Sequence, residues 1–406
     1  MIEKLHVRNF KSLVDCPIDL APLSVFVGPN ACGKSNLIDA LRFIRDALGI
    51  GLTQAIDVRG GIEAVTSKVQ EAGKDVAVTI SGTLPQHEEE STAVDAAPRD
   101  PPAPPVGFSY EFTFGPDNGE LAIDQERLVG NRSPGAVSED VVVIKRDRDF
   151  LRLRPRGAMS SLTDEELYEV GPANRTKLAA GVWYSDPIIS ALMEYTRKWH
   201  FYDVDPRAAR SPVPEKEVGP IAENGLGLPA ALYALRRDAG ERDFDPFGMM
   251  MDYLRRNIPL FDSLNTDKSH GLVSFEVLET HLRSGLSAGE VSDGTVALMA
   301  YLAALLYGSP EMLSIEEPER YLHPHLLEEL VDFFRHLTSF GLQVVMTTHS
   351  VELVNRLRPD EVFLMDKGEK GTAIVRASDK DHIEAYLKEF SLGDLWYQGQ
   401  LGGVPE

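Results

Sequence analysis

The sequence predicts an α/β fold: a mostly parallel sheet covered by helices, joined to an antiparallel β meander and a helical, irregular insertion. Three observations carry that prediction. A glycine-rich loop, GPNACGKS at 28–35, stands between an apolar run, LSVFV, and the helix-like NLIDALRFIRDAL. Strand-like runs follow one another across 107–154 with Gly, Asp, Asn and Pro between them. From 286 onward apolar strands alternate with helices, the pattern of a parallel sheet with helical cover.

The elements follow in order. IEKLHVRNF and LSVFV read as strands, and Leu37, Leu41, Ile44 and Leu48 give the next helix one apolar stripe. DVAVTIS at 75–81 is a further strand. Residues 84–106 are rich in Pro, Ala and acid without periodicity, so a mobile loop is expected there. FSYEFTF, ELAIDQERL, VVVIKR and FLRLR form the meander. These elements make an N-terminal lobe over 1–154, followed by the insertion over 155–285. The C-terminal lobe, 286–406, begins with a helix at 293–307. It continues with a buried strand at 311–315, an amphipathic helix from Pro324, and the strands LQVVM and EVFLM around the short helix SVELVNRL.

Bulk properties narrow the function. The chain has 406 residues, 43% hydrophobic, and a formal charge of −22. Such an acidic chain does not favour indiscriminate binding to nucleic acid; contact would need a local basic patch. Cys16 and Cys32 are its two cysteines. Cys32 lies inside the glycine-rich loop, so a disulfide is not expected and a reducing cytoplasm is. The opening MIEKLHVRNFKS lacks the apolar core of a signal peptide, and no apolar run reaches the roughly 18 residues of a membrane span. No membrane association is expected.

Four stretches carry chemistry. Gly28, Gly33, Lys34 and Ser35 have the G-x-x-x-x-G-K-[ST] spacing of a phosphate-binding loop. The loop Gly28, Pro29, Asn30, Ala31, Cys32 and Gly33, with Asn36 just beyond, would surround the phosphates at the positive end of a helix, every residue but Pro29 offering a backbone N–H. Lys34 would reach the β- and γ-phosphates, and Ser35 would ligate Mg²⁺. In EMLSIEEPE an apolar strand ends in two carboxylates. Glu316 would hold the metal, and Glu317 would orient or deprotonate the attacking water. In VVMTTHS, His349 follows a buried strand and could polarise or sense the γ-phosphate. In VSDGT, Ser292, Asp293 and Gly294 open a helix and offer a second anion site, suited to a nucleotide held by a partner copy.

With these motifs in order, the chain resembles ABC-type ATPases. It most resembles the SMC/RecF/OLD branch and its stand-alone bacterial AAA family members. GPNACGKS stands as Walker A, LSIEEPE as Walker B, VSDGT at the ABC signature, ERYLHP at the D-loop and His349 at the switch histidine. In LHVRNFKSL, the resemblance places Asn9, Phe10, Lys11 and Ser12 near the nucleotide. RGG at 59–61 also favours this branch. Asp293 stands where the signature has glycine. Gln54, Gln70 and Gln125 compete for the Q-loop position. Only residues 367–406 follow EVFLMD, too few for the TOPRIM domain of OLD nucleases. The resemblance implies a homodimer that sandwiches ATP and Mg²⁺, acting in DNA transactions or phage defence with a separately encoded effector. A regulatory scaffold locked by ATP, or a transporter's ATPase subunit, are the alternatives.

Two further patterns bear on possible ligands. In KRDRDFLRLRPR, Arg146, Arg148, Arg152, Arg154 and Arg156 share one parity, which on a single extended strand would form a basic stripe for DNA. A solvated strand face beside Asp147 and Asp149 is the plainer reading. DVD at 203–205 reads as a loop without a strand behind it.

Overall fold

The computed structural model describes residues 1–69, 72–85, 106–117, 120–131, 140–147, 150–153, 168–172, 174–182, 186–214, 219–237 and 245–402. The expected loop at 84–106 therefore lies mostly outside the described residues.

In chain order, β1 (Ile2–Phe10), β2 (Leu13–Asp19) and β3 (Leu23–Val27) precede α1 (Lys34–Gly49), α2 (Leu52–Asp57) and α3 (Ile62–Val65). Then come β4 (Val76–Leu84), β5 (Val106–Asp117), β6 (Glu120–Asn131), β7 (Asp140–Asp147), β8 (Phe150–Leu153) and β9 (Tyr168–Pro172). The middle of the chain holds α4 (Pro187–Arg197), β10 (Trp199–Tyr202), α5 (Pro206–Ala209) and β11 (Val213–Pro214). It also holds α6 (Leu228–Arg237), α7 (Pro246–Asn257), β12 (Phe261–Ser269), β13 (Leu272–Glu279) and β14 (Leu286–Ser287). The last part holds α8 (Asp293–Gly308), β15 (Met312–Glu316), a 3₁₀ turn (Pro318–Arg320), α9 (Pro324–Thr338) and β16 (Gln343–Thr348). It ends with α10 (Val351–Val354), β17 (Val362–Gly368), β18 (Gly371–Arg376), α11 (Ile383–Tyr386) and α12 (Leu392–Tyr397).

Two sheets organise these elements. The antiparallel one runs β2-β1-β4-β5-β6-β7-β8-β9. Pro17 sits in β2, where an edge strand tolerates a residue without an N–H. The second runs β10-β15-β16-β3-β17-β18, parallel throughout except for β18. Helix α1 fills the space between the sheets. Its Leu37, Leu41 and Ile44 share one core with Leu5, Val7 and Phe112 of the antiparallel sheet and Phe26, Val345 and Phe363 of the parallel one. The opposite face of the parallel sheet, with Val25, Val27, Leu313 and Val344, packs on α6, α7, α8 and α9. Helix α8 is apolar on all sides and buried from Val296 to Leu305, as a helix with no solvent face must be.

The middle segment departs from the expected helical insertion. β12 and β13 form a hairpin, and β10 is a strand of the parallel sheet itself, paired with β15 from Trp199↔Met312 to Tyr202↔Ile315. DVD therefore does follow a strand, contrary to its reading as a loop without one. The short aromatic run WHFY carries no alternation to reveal a strand. Burial against β15 makes it one.

Candidate active site

The phosphate loop leaves β3 and enters α1 through Gly33, whose φ of 116° suits glycine. Two glycines are fixed by close packing. A Cβ on Gly28 would lie 2.3 Å from the Met365 carbonyl oxygen, and one on Gly33 would lie 2.4 Å from Thr372 Oγ1. Thr372 Oγ1 donates to the Cys32 carbonyl at 2.8 Å and lies 2.8 Å from Ser12 Oγ, which accepts from Asn36 Nδ2 at 2.8 Å. The loop is thus braced from both ends of the chain. Lys34 Nζ donates to the carbonyls of Gly28 (2.9 Å) and Pro29 (3.0 Å). Burial lowers the Lys34 pKa, against the pull of Cys32 and Glu317. Burial likewise raises the Cys32 thiol, against the pull of Lys34. Helix α1 has neither a side-chain cap nor an acid in its first turn, so its leading N–H groups are not spent on the protein's own side chains.

Of the N-terminal residues expected near the nucleotide, Ser12 packs against the loop. Lys11 pairs with Asp39 at 2.6 Å, Phe10 is buried against Phe43, and Asn9 bonds to Asp75 and Gly73. Arg59 of the RGG run joins Asp39 and Asp46, both at 3.0 Å. Gln54 lies on α2 and Gln125 on β6, while Gln70 lies outside the described residues.

β15 delivers the paired acids. Glu316 is its last residue and pairs with Thr347 of β16. Burial raises the Glu316 pKa, opposed by Arg42 and by the Ser35 hydroxyl. Arg42 comes from α1, lies 3.6 Å from Glu316, and also holds Glu223 at 3.1 Å. Glu317 adopts φ 45° and ψ 59°, a left-handed conformation that costs a non-glycine residue about 1–2 kcal/mol. Its Oε1 lies 3.4 Å from His349 Nε2, and its Oε2 accepts from Arg320 at 2.9 Å. Burial, then Lys34, lower the His349 pKa, so the neutral imidazole persists below the usual histidine range. Glu319 accepts from Thr348 Oγ1 at 2.8 Å and from the His349 N–H, fastening the acidic turn to the end of β16. The phosphate loop, Ser35, both acids and His349 thus gather at the C-terminal ends of β3, β15 and β16, adjacent strands in the middle of the parallel sheet.

Ser292 caps α8 by accepting from the Thr295 N–H at 3.1 Å. Asp293, in the first turn, pairs with Arg210 at 2.6 Å. Gly294 packs against the Tyr321 carbonyl, 2.9 Å from where a Cβ would stand. Ser292, Gly294, Arg256, Tyr321, His323 and His325 border one cavity.

The expected arginine stripe does not form as drawn. β7 and β8 are a hairpin in which Arg146 opposes Leu151 and Arg152 opposes Lys145. Reversal of the chain puts Arg146 and Arg152 on opposite faces. Arg146 is buried, bonded to the Lys177 and Asn174 carbonyls beside Glu126. Arg152 is exposed. Arg148, Arg154 and Arg156 lie outside the described residues.

Sequence reasoning missed Thr372 and Arg42, read Asp203 only as part of a loop, and took Arg320 only as part of the D-loop run. Only Arg320 had a local signal: it lies three residues after Glu317, across a proline-started turn.

Comparison with known proteins bears on the fold and its class. A family model for an AAA ATPase domain matches residues 1–81, and a model described as "AAA domain, putative AbiEii toxin, Type IV TA system" matches residues 206–355. The Old nuclease of Escherichia phage P2 is 21% identical over 416 residues, covering 96% of this chain and 63% of that protein. The chain therefore spans less than two thirds of that relative. The chromosome partition protein Smc of Thauera aminoaromatica is 44% identical over 61 residues, 14% of this chain and 5% of that one. An Smc head bound to the C-winged helix domain of ScpA matches with a TM-score of 0.52 at 13% identity, covering 92% of this chain and 96% of that one. A Pyrococcus furiosus-derived Smc head with an extended coiled coil, bound to the C-terminal domain of ScpA, also gives 0.52 at 13%, covering 96% and 99%.

Fold and site together define a P-loop ATPase of the ABC type. Within that class the chain is similar to the Old nuclease as a distant homologue, and its fold is SMC head-like. Among the described residues, no helix is long and apolar enough to cross a membrane.

Proposed function

We propose that this protein hydrolyses ATP as a nucleotide-gated homodimer in the cytoplasm. The carrying observation is the convergence of Lys34, Ser35, Glu316, Glu317 and His349 at the C-terminal ends of adjacent central strands, with Glu317 and His349 3.4 Å apart. Lys34 and the loop N–H groups bind the triphosphate. Glu317 accepts the proton of the attacking water as its oxygen bonds to the γ-phosphorus; the bond to the bridging oxygen breaks, leaving ADP and phosphate. His349, neutral at pH 7, donates to or accepts from the same water or the γ-phosphate. Ser35 beside Glu316 fits Mg²⁺, which is usually held by one or two protein groups plus phosphates and waters, and the ion would neutralise charge developing on the phosphates.

Ser292, Asp293 and Gly294 meet the partner copy's nucleotide. Closing and opening of the dimer is the output, and a separately encoded effector reads it. The names of the Old nuclease and of the toxin–antitoxin family model support a role in phage defence or DNA transactions. Exposed Arg152 remains the described candidate for DNA contact. Transporter ATP-binding proteins match shorter parts of the chain, such as 26% for an energy-coupling factor subunit, and favour that reading less.

Phosphate release and size-exclusion chromatography with ATP test the proposal on wild type and Glu317→Gln. The variant should lose about 10²–10⁴-fold in turnover and accumulate as an ATP-bound dimer. Equal turnover in both would overturn the base assignment. An ATP-dependent dimer with negligible wild-type turnover would replace the enzyme with the scaffold.

A further inference from the structure

We propose that Arg320, held by Asp203, is a positioning residue for Glu317. This rests on the reading of Glu317 as the base. β10 and β15 run in parallel with Tyr202 beside Ile315, so Asp203 and Glu316 leave the sheet as neighbours. The chain then turns sharply. The Glu317 N–H donates to the Thr347 carbonyl at 2.9 Å, and the Arg320 N–H donates to the Glu317 carbonyl at 3.0 Å. That turn brings the Arg320 guanidinium back over its own base. One terminal nitrogen donates to Glu317 Oε2 and the other to Asp203 Oδ1, each at 2.9 Å. Asp203 is anchored in turn by its own N–H, which donates to the Glu223 carbonyl at 3.0 Å.

The arrangement answers a specific need. Glu317 has a flexible side chain on a left-handed backbone, with one carboxylate oxygen facing His349. Without a second restraint its carboxylate can rotate. A guanidinium is a rigid planar fork, so fixing one of its arms on Asp203 fixes the direction of the other. Arg320 is 45% exposed, and an exposed ion pair contributes only ~0–1 kcal/mol to stability. Its value lies in orientation, where a displacement of about 1 Å can cost on the order of 100-fold in rate. Glu319 fastens the opposite side of the turn to β16, so the base is bracketed between the two strand ends that flank it.

The test is steady-state ATPase kinetics of wild type, Arg320→Gln, Asp203→Asn, the double variant and Glu317→Gln, with thermal melting of each. Arg320→Gln should lower kcat roughly 10- to 100-fold, with KM, ATP-dependent dimerisation and melting temperature essentially unchanged. Asp203→Asn should lose less, and the double variant no more than Arg320→Gln, because the two act as one unit. Unchanged kcat in Arg320→Gln, losses that multiply in the double variant, or losses that merely follow melting temperature would overturn the proposal. Retained turnover in Glu317→Gln would instead overturn the assignment of the base itself.

Discussion

Helices α1 and α8 are both 16 residues long, and both begin at motifs that read as anion sites, yet their N-termini are built differently. Helix α1 starts at a left-handed glycine, with no side-chain cap and no acid in its first turn. Helix α8 starts at Ser292, whose hydroxyl already accepts from the Thr295 N–H, and carries Asp293 in its first turn. The first is a loop closed from behind by Thr372 and Ser12, with its leading N–H groups unspent on side chains. The second satisfies itself, and Asp293 opposes an approaching anion while Arg210 offsets it. On the proposed dimer, the loop of α1 would bind nucleotide within one copy, whereas the α8 turn would act only against a second copy.

Three substitutions break or sharpen that contrast. Gly33→Ala should have the largest effect. A methyl group 2.4 Å from Thr372 Oγ1, at a φ of 116°, cannot be placed without moving the loop. Losing two or more charge-assisted bonds of ~1.5–3 kcal/mol each should weaken ATP binding by roughly 100-fold or more, read by fluorescent-nucleotide titration. Ser292→Lys should come next. Binding of ATP to one copy should be unchanged in the same titration, while turnover and ATP-dependent dimerisation fall at least about 10-fold, the coupling range of linked sites. Normal dimerisation would show that α8 does not face the partner's nucleotide. Asp293→Gly should have the smallest effect, and in the opposite direction. Removing a first-turn acid should cost ~0.3–1 kcal/mol of stability in thermal or urea unfolding, and raise ATP-dependent dimerisation a few-fold at low salt.

Much of the architecture was legible because its signals are local. The meander announced itself through turn residues between β5, β6, β7 and β8, and the parallel sheet through the alternation from α8 to β17. β2 was obscured by Pro17, which reads as a strand breaker until it is seen on an edge. β10 was obscured because four aromatic-rich residues have no period of their own. Within the arginine run, Arg146 and Arg152 part for a different reason. Parity predicts a shared face only along one strand, and the hairpin between Asp147 and Phe150 reverses the chain within the run.

The sequence alone determined which groups make up the candidate site. Gly28, Gly33, Lys34 and Ser35 at fixed spacing, Glu316 and Glu317 at the end of an apolar run, and His349 after another can each be read within a few residues, because a strand end and a helix start are local events. What tertiary structure decided is what holds those groups in place. Thr372 reaches Cys32 across 340 residues of sequence, and Asp203 reaches Arg320 across 117. Those partners meet because β18 joins the sheet at one edge and β10 at the other. Strand order is set by how buried surfaces fit together across the whole fold, and no local pattern encodes which distant strand becomes a neighbour.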